Sequence, residues 1–239
     1  MNEKGLIYVV FGNKYDELAA RTIGLSRKFT NLPIQVLTNI PEDNRSLEWK
    51  NIKGVEFTLF NMKQGENRSI KTRLIDFSPF DLTLFLDCDS FVQRSGVEML
   101  FDLMSGSDIL LPVLGKWGVG SKPLSVYAKV MQKIGVQLPL TIYYGALLGF
   151  KKTLGAKKFF DLWHSYWRLT CGRDMPPLAC AVKNSGVVVK EIFPEEDRFF
   201  YGGCKKVDKN ALIQHAYGPQ FFNQIGLSGF EKNVVRVRY

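Results

Sequence analysis

Residues 81–93 read "DLTLFLDCDSFVQ". The stretch from Leu82 to Leu86 has the length and apolar character of a buried strand. It ends in Asp87-Cys88-Asp89, and Ser90-Phe91-Val92 turns apolar again at once. In extended chain, residues two apart face the same side. Asp87 and Asp89 then hold their carboxylates on one side, and Cys88 is a spacer whose thiol points the other way, into the core. Two like charges at the rim of a core each raise the other's pKa, and burial raises both. A divalent cation removes the conflict, and hard carboxylate oxygens suit Mn²⁺ or Mg²⁺. In parallel α/β sheets, ligands bind beyond the carboxyl ends of strands, which is where Asp87 stands.

The segments on either side set this strand in an alternating pattern. Strands are expected at 5–12, 34–39 and 55–60, as well as 82–87. A helix after the first strand starts near Asp16, a plausible N-cap, and repeats Leu18, Thr22, Leu25 and Phe29 at helical spacing. Residues 67–77 read as a second helix, with Ile70, Leu74 and Phe77 on one side. Alternation of this kind predicts an α/β fold with a mostly parallel central sheet flanked by helices. The second half is less regular. It reads as a helix at 97–104, a strand at 108–113, a Gly-rich loop at 115–123 and a strand at 142–150. Helices at 155–169 and 177–184 follow, then a strand at 187–193 and a strand end at 211–217. No repeat and no long linker divides the chain. One domain over 1–239 is expected, with 1–113 as its nucleotide-binding half and 114–239 as its acceptor and sugar half.

Composition excludes several classes. The chain has 239 residues, 46% of them apolar, with 18 Phe, enough for a substantial core. No apolar stretch reaches the roughly 20 residues of a membrane-spanning helix. The first residues do not read as a signal peptide, so a cytoplasmic protein is the default expectation. Four cysteines, none in a CxxC pair, and two histidines argue against a Cys/His zinc site. Basic residues exceed acidic ones by nine, which favours an anionic partner or a peripheral contact with an acidic membrane. They are scattered rather than gathered in a tract.

The run "RSIKTRLIDFSPFDLTLFLDCDSFV" resembles the DxD region of GT-A-fold glycosyltransferases, in particular the glycogenin-like and galactosyltransferase-like group. There a basic residue on the preceding helix recurs with the DxD strand, and Lys71 stands sixteen residues before Asp87. The resemblance implies that Asp87 and Asp89 bind Mn²⁺ (or Mg²⁺), with Asp89 as direct ligand. The metal would hold the diphosphate of a nucleoside diphosphate sugar, with a UDP-sugar as the expected donor. Lys71 would reach that donor. The family's third ligand is a histidine in an HxxG segment, and "QHAYGPQFF" places His215 and Gly218 in that pattern. A Lys often follows in the family, whereas this chain has Gln220-Phe221-Phe222; Lys205, Lys206 and Lys209 are candidate substitutes. In "YVVFGNKYDE", Val10, Phe11, Gly12 and Tyr15 match the positions that hold the nucleotide. Cys88 joins this donor-binding set by its place between the two carboxylates. Tyr144-Gly145 stands where the family has a sugar-lining strand, and Asp174 matches an acid near the transferred sugar. His164, among aromatics in "FFDLWHSYW", reads as structural.

The implied activity is sugar transfer to a hydroxyl acceptor on a glycan, lipid or protein, with no nucleic-acid partner. Two other readings stay open at this point. A haloacid-dehalogenase-like phosphatase also ends a strand in DxD, with the first Asp as nucleophile. A basic nucleic-acid-binding protein without catalysis would also carry the charge, although no binding signature is present.

Overall fold

The apolar runs of the first half become the centre of a twisted sheet. The structure is a computed structural model that describes residues 3–63, 66–170, 172–196, 198–203 and 210–216. In chain order the described elements are β1 (Lys4–Val10), α1 (Asn13–Ser26), β2 (Ile34–Thr38), β3 (Val55–Leu59), α2 (Asn67–Lys71) and α3 (Leu74–Phe77). Then come β4 (Leu82–Leu86), β5 (Ser90–Val92), α4 (Met99–Leu103), β6 (Ile109–Trp117), α5 (Ser125–Ile134) and β7 (Leu140–Tyr143). The chain continues through β8 (Leu147–Lys151), α6 (Leu154–Thr170), α7 (Met175–Ser185), β9 (Val189–Ile192), β10 (Phe200–Gly203) and β11 (Ile213–Ala216).

The large sheet has the order β3-β2-β1-β4-β8-β6-β7, with β9 beside β6. Neighbours from β3 to β4 are parallel. β8 runs antiparallel to both β4 and β6, while β9 is parallel to β6 and β7 antiparallel to it. β3, β2, β1, β4, β6 and β9 therefore point one way, and β7 and β8 the other. The sheet is mostly parallel, as the strand–helix alternation predicts.

Both faces are covered, so the strands alternate between two cores rather than between core and water. Phe85 packs with Ile7, Phe150, Phe159 and Trp163 on one face, under α6 and α7. Leu84 and Leu86 pack with Leu6, Tyr8, Val10 and Ile23 on the other, under α1. A second, three-stranded sheet has the order β10-β11-β5, with β5 antiparallel to β11 and β10 parallel to it.

Several local expectations need correction. The single helix of 67–77 is broken into α2 and α3 at Arg73, whose φ of −132° leaves the helical region. The hydroxyl of Thr72 bonds the Arg68 carbonyl at 3.0 Å, a competing partner that favours a stop there. The strand of 142–150 is two strands, because Tyr144–Ala146 turn the chain from the outer edge of β6 to the gap between β6 and β4. β6 runs on through Trp117 into the expected Gly-rich loop, where it pairs with β7. Asp16 is not the N-cap of α1; Gly12 is. The buried Asp16 carboxylate instead accepts from Ser46 N at 2.6 Å and Trp49 Nε1 at 2.8 Å. It ties α1 to the 3₁₀ turn of 47–51, whose local pattern gave no signal. The helix ends at Ser26, so Phe29 lies beyond it. α5 was not expected either.

Cys88 and Cys180 are free thiols. Cys171, Cys204, Lys205, Lys206, Lys209, Gly218, Gln220, Phe221 and Phe222 lie outside the described residues. No helix among the described residues is long and apolar enough to cross a membrane.

Candidate metal and donor site

Everything at this site hangs on the carboxyl end of β4. Asp87 N donates to Ala146 O at 3.0 Å, which prolongs the pairing of β4 with β8 by one residue. The chain then turns rather than staying extended, with Ser90 N bonded to Asp87 O at 2.8 Å. Thr22 Oγ1 on α1 donates to Cys88 O at 2.8 Å and pins the turn from below. After the turn, β5 pairs with β11 in a register that sets Ser90 opposite His215. His215 Nε2 lies 3.3 Å from Asp89 Oδ1. One ligand atom from each of Asp87, Asp89 and His215 falls within a mutual distance of 4.8 Å. The Phe200 ring stacks on the His215 imidazole, with centroids 6.4 Å apart and planes 19° apart. The two carboxylates are thus brought together with the histidine by a turn and a second sheet, not by a continuous strand.

The cation on the other side of Asp87 is Lys71, at the end of α2. Its Nζ lies 2.9 Å from Asp87 Oδ1 and 2.8 Å from Asp174 Oδ2. It also sits over the Phe85 ring, 5.0 Å from the centroid. Arg68, one turn earlier on α2, places Nε 3.7 Å from Asp174 Oδ1. Asp174 precedes α7 in the N-cap position, but its side chain does not cap the helix. It is directed to Lys71 instead, and Trp163 Nε1 holds its carbonyl at 2.9 Å. Gly145 faces the same pair: a Cβ there would stand 3.4 Å from Lys71 Nζ and 3.6 Å from Asp174 Oδ2.

The charges interlock. Burial alone would lower the pKa of Lys71, but Asp174 and Asp87 outweigh it and raise it, so the ammonium stays charged. Asp174 is pulled the opposite way: burial would raise its pKa, and Lys71 holds it below the usual carboxylate value. Asp87 is raised by burial despite Lys71, with Asp89 adding to the rise. Asp89 is lowered, because His215 outweighs its burial. His215 is raised correspondingly, burial being overcome by Asp89. Two carboxylates and an imidazole are a suitable donor set for Mn²⁺ or Mg²⁺, so the residues fit the cation.

A cavity of about 300 Å³ opens beside this cluster, lined by Asp87, Asp89, Lys71, Asp174 and Arg68, and by Tyr15 near its mouth. Gly12 stands at φ 89°, a region open to glycine, and begins α1 directly after β1. Its N–H donates to Asn39 Oδ1 at 2.9 Å, while Asn39 Nδ2 donates to Met62 O at 3.0 Å. Phe11 and Tyr15 line the cavity. The side chain of Val10 does not, because it packs into the opposite core; Val9 lines it in its place. Cys88 touches the cavity but packs against the core under α1, and burial pushes its thiol pKa well up. Gly218 lies outside the described residues. Sequence reading missed Val9, Asn39, Asn67 and Arg68. Strand alternation pairs Val9 with Phe11, and helical spacing pairs Arg68 with Lys71. Nothing local marks Asn39. His164 is elsewhere, 2.8 Å from Thr72 Oγ1, as a structural histidine would be. A larger cavity of about 640 Å³ lies at the opposite end of the sheet, by the starts of β2 and β3. The Asp–Asp–His group is not there.

Comparison of the whole fold with solved structures is decisive for its class. A galactosyltransferase LgtC, solved in complex with donor and acceptor sugar analogues, matches with a TM-score of 0.60 at 17% identity. The match covers 94% of this chain and 96% of that one. This is the GT-A glycosyltransferase fold. Mouse xyloside xylosyltransferase 1 shares it, with a TM-score of 0.58, 9% identity, and 89% and 97% of the two chains covered. So does the bifunctional glycosyltransferase WbbM, with a TM-score of 0.61 and 11% identity. There the match covers 97% of this chain and 51% of that one. No sequence family and no curated protein matches the chain. In the GT-A fold seen here, the Asp87–Asp89 turn closes the carboxyl end of a central strand and faces the cavity beside α2.

Proposed function

We propose that the protein is a metal-dependent glycosyltransferase that moves a sugar from a nucleoside diphosphate sugar to a hydroxyl acceptor. The observation that carries this reading is the convergence of Asp87, Asp89 and His215 within 4.8 Å, on a GT-A fold. Asp87, Asp89 and His215 would hold Mn²⁺ or Mg²⁺, and the cation would supply positive charge to the donor diphosphate. The resemblance around "LFLDCDSF" favours a UDP-linked donor.

The chain's own residues divide the remaining work. Lys71 is kept charged and fixed by two carboxylates, so it presents positive charge without needing to reorganise as the leaving diphosphate departs. Arg68 adds a second cation on the cavity wall. Asp174 is kept ionised by Lys71, so it is suited to face the positive charge that develops on the transferred sugar, not to give up a proton. Phe11 and Tyr15, which line the cavity, would border the nucleoside. A phosphatase of the dehalogenase type would need a downstream acidic pair for its metal. Here the third group is a histidine from β11.

The test is a thermal-shift screen of nucleotide sugars with and without Mn²⁺. A donor that raises Tm only when the metal is present is the expected result. Stabilisation by no nucleotide sugar under any metal condition would overturn the reading.

A further inference from the structure

Between Asp108 and Asp161 the chain carries eight lysines and no acidic residue, while the net charge of the whole chain is +9. The excess charge is thus concentrated in one stretch, from β6 to the start of α6. Folding decides which of these lysines stay uncompensated. Lys116 is paired with Glu191 at 3.2 Å, and Lys157 with Asp76 at 3.2 Å and Asp161 at 2.5 Å. The surface around α5 is different. Lys129 and Lys133 stand one turn apart on its exposed face, and Lys122 is exposed on the loop before it. Lys133 donates to Leu169 O. Lys183, on the adjoining α7, donates to Gln137 O at 2.5 Å and Pro139 O at 2.6 Å. Carbonyls hold these ammonium groups in place without cancelling their charge, and α7 itself contains no acidic residue.

The same surface turns aliphatic side chains to water. Val119 is 85% exposed and Leu124 65%. Val119 is held out by its backbone: Ser121 N donates to Gly118 O at 3.1 Å and Gly120 stands at φ 84°, as in a type II turn with Val119 at its corner. The Trp117 ring meets the Tyr127 ring edge to face, 5.0 Å apart, and fastens the base of the loop to α5. Leu124 opens α5, one turn before the exposed Ala128. Exposed aliphatics beside uncompensated lysines match one kind of partner, a bilayer with anionic headgroups. The apolar tips enter the acyl boundary while the ammonium groups meet lipid phosphates. A nucleic acid would use the lysines but leave Val119 and Leu124 in water. β6 points the same way as β4, so the loop leaves the sheet at the end that carries Asp87.

We propose that the loop of residues 118–124 and the exposed face of α5 form a docking surface for an anionic lipid bilayer. The proposal stands independently of the glycosyltransferase reading. Its test is co-sedimentation of the full chain with vesicles of phosphatidylcholine, with and without phosphatidylglycerol. Binding to the anionic vesicles should be at least about tenfold tighter than to the neutral ones, and should weaken at about 0.5 M salt. Two double variants divide the contributions: Lys122→Glu with Lys129→Glu removes charge, and Val119→Ser with Leu124→Ser removes apolar surface. All four side chains are exposed, so Tm should not change. Each double variant should weaken vesicle binding at least about tenfold. Equal binding to neutral and anionic vesicles would overturn the proposal, as would parent-like vesicle binding in either double variant. So would lysine-dependent binding to a single-stranded RNA oligonucleotide by a chain that leaves the vesicles in solution.

Discussion

Asp87 and Asp89 differ in what they do, although they stand one residue apart. Asp89 has His215 as its partner and keeps a lowered pKa; Asp87 is clamped by Lys71 yet raised by burial. In the proposed function Asp89→Ala removes a metal ligand and leaves the Lys71–Asp87 clamp in place. We expect metal-dependent donor turnover to fall at least about 100-fold, because several kcal/mol of charge stabilisation depend on the cation. Circular dichroism and Tm should stay near those of the parent protein. Turnover within a few-fold of the parent would contradict the assigned role. Lys71 is the opposite case. Its removal leaves Asp87 and Asp174 facing each other without a cation, so Lys71→Met should cost about 3 kcal/mol of stability, read by urea unfolding. A loss of activity with no loss of stability would show that the two carboxylates are not held by this ammonium.

At the scale of elements, the site depends on how tightly β8 fits between β4 and β6. Gly149 lies in the middle of β8, and a Cβ there would meet Met104 Sδ at 2.8 Å and Leu110 Cβ at 3.0 Å. Gly149→Ala should overpack this layer and cost about 1–3 kcal/mol, measured as a shift in the urea midpoint. An unchanged midpoint would mean that the layer has slack. The α2–α3 break is held from another element, by His164 of α6 against Thr72. Burial lowers the His164 pKa, and Arg73 and Arg168 lower it further. The folded state then binds fewer protons than the unfolded one between the two pKa values, so stability rises with pH there. That contribution is complete above the unfolded value of about 6.5 and is lost as pH falls through the folded value. Urea unfolding between pH 7.5 and 5 should show the decline, and His164→Gln should flatten part of it. Equal slopes in the two proteins would assign the decline to other groups.

Across the whole molecule, the sheet joins the expected nucleotide half to the expected acceptor half. β8, from the second half, fills the gap between β4 and β6, and His215, late in the chain, completes a cluster begun at Asp87. A chain cut after Val113 would leave β4 without its β8 partner. Unfolding of the whole protein should therefore be one cooperative transition by fluorescence and circular dichroism alike, and a 1–113 fragment should show none. Separate transitions for the two halves would contradict this unity.

The sequence by itself determined the central strands of the parallel half, β1, β2 and β4, because runs buried on both faces are written as largely apolar stretches. It also marked the carboxylate pair, because two acids at a strand end break the apolar pattern where a ligand can enter. Lys71, Asp174 and His215 could be proposed from a resemblance to known enzymes. Their convergence could not be read locally, since it depends on pairings between segments far apart in the chain. Tertiary structure alone decided that residues 87–89 turn rather than extend, because the turn is set by Ala146, Thr22 and the register of β5 with β11. It alone decided that Val9, not Val10, faces the cavity, and that Asp174 serves Lys71 instead of capping a helix. The physical reason is the same in each case: hydrophobic periodicity fixes which face of an element is buried, whereas the direction of a polar side chain is chosen by the partner that folding brings to it.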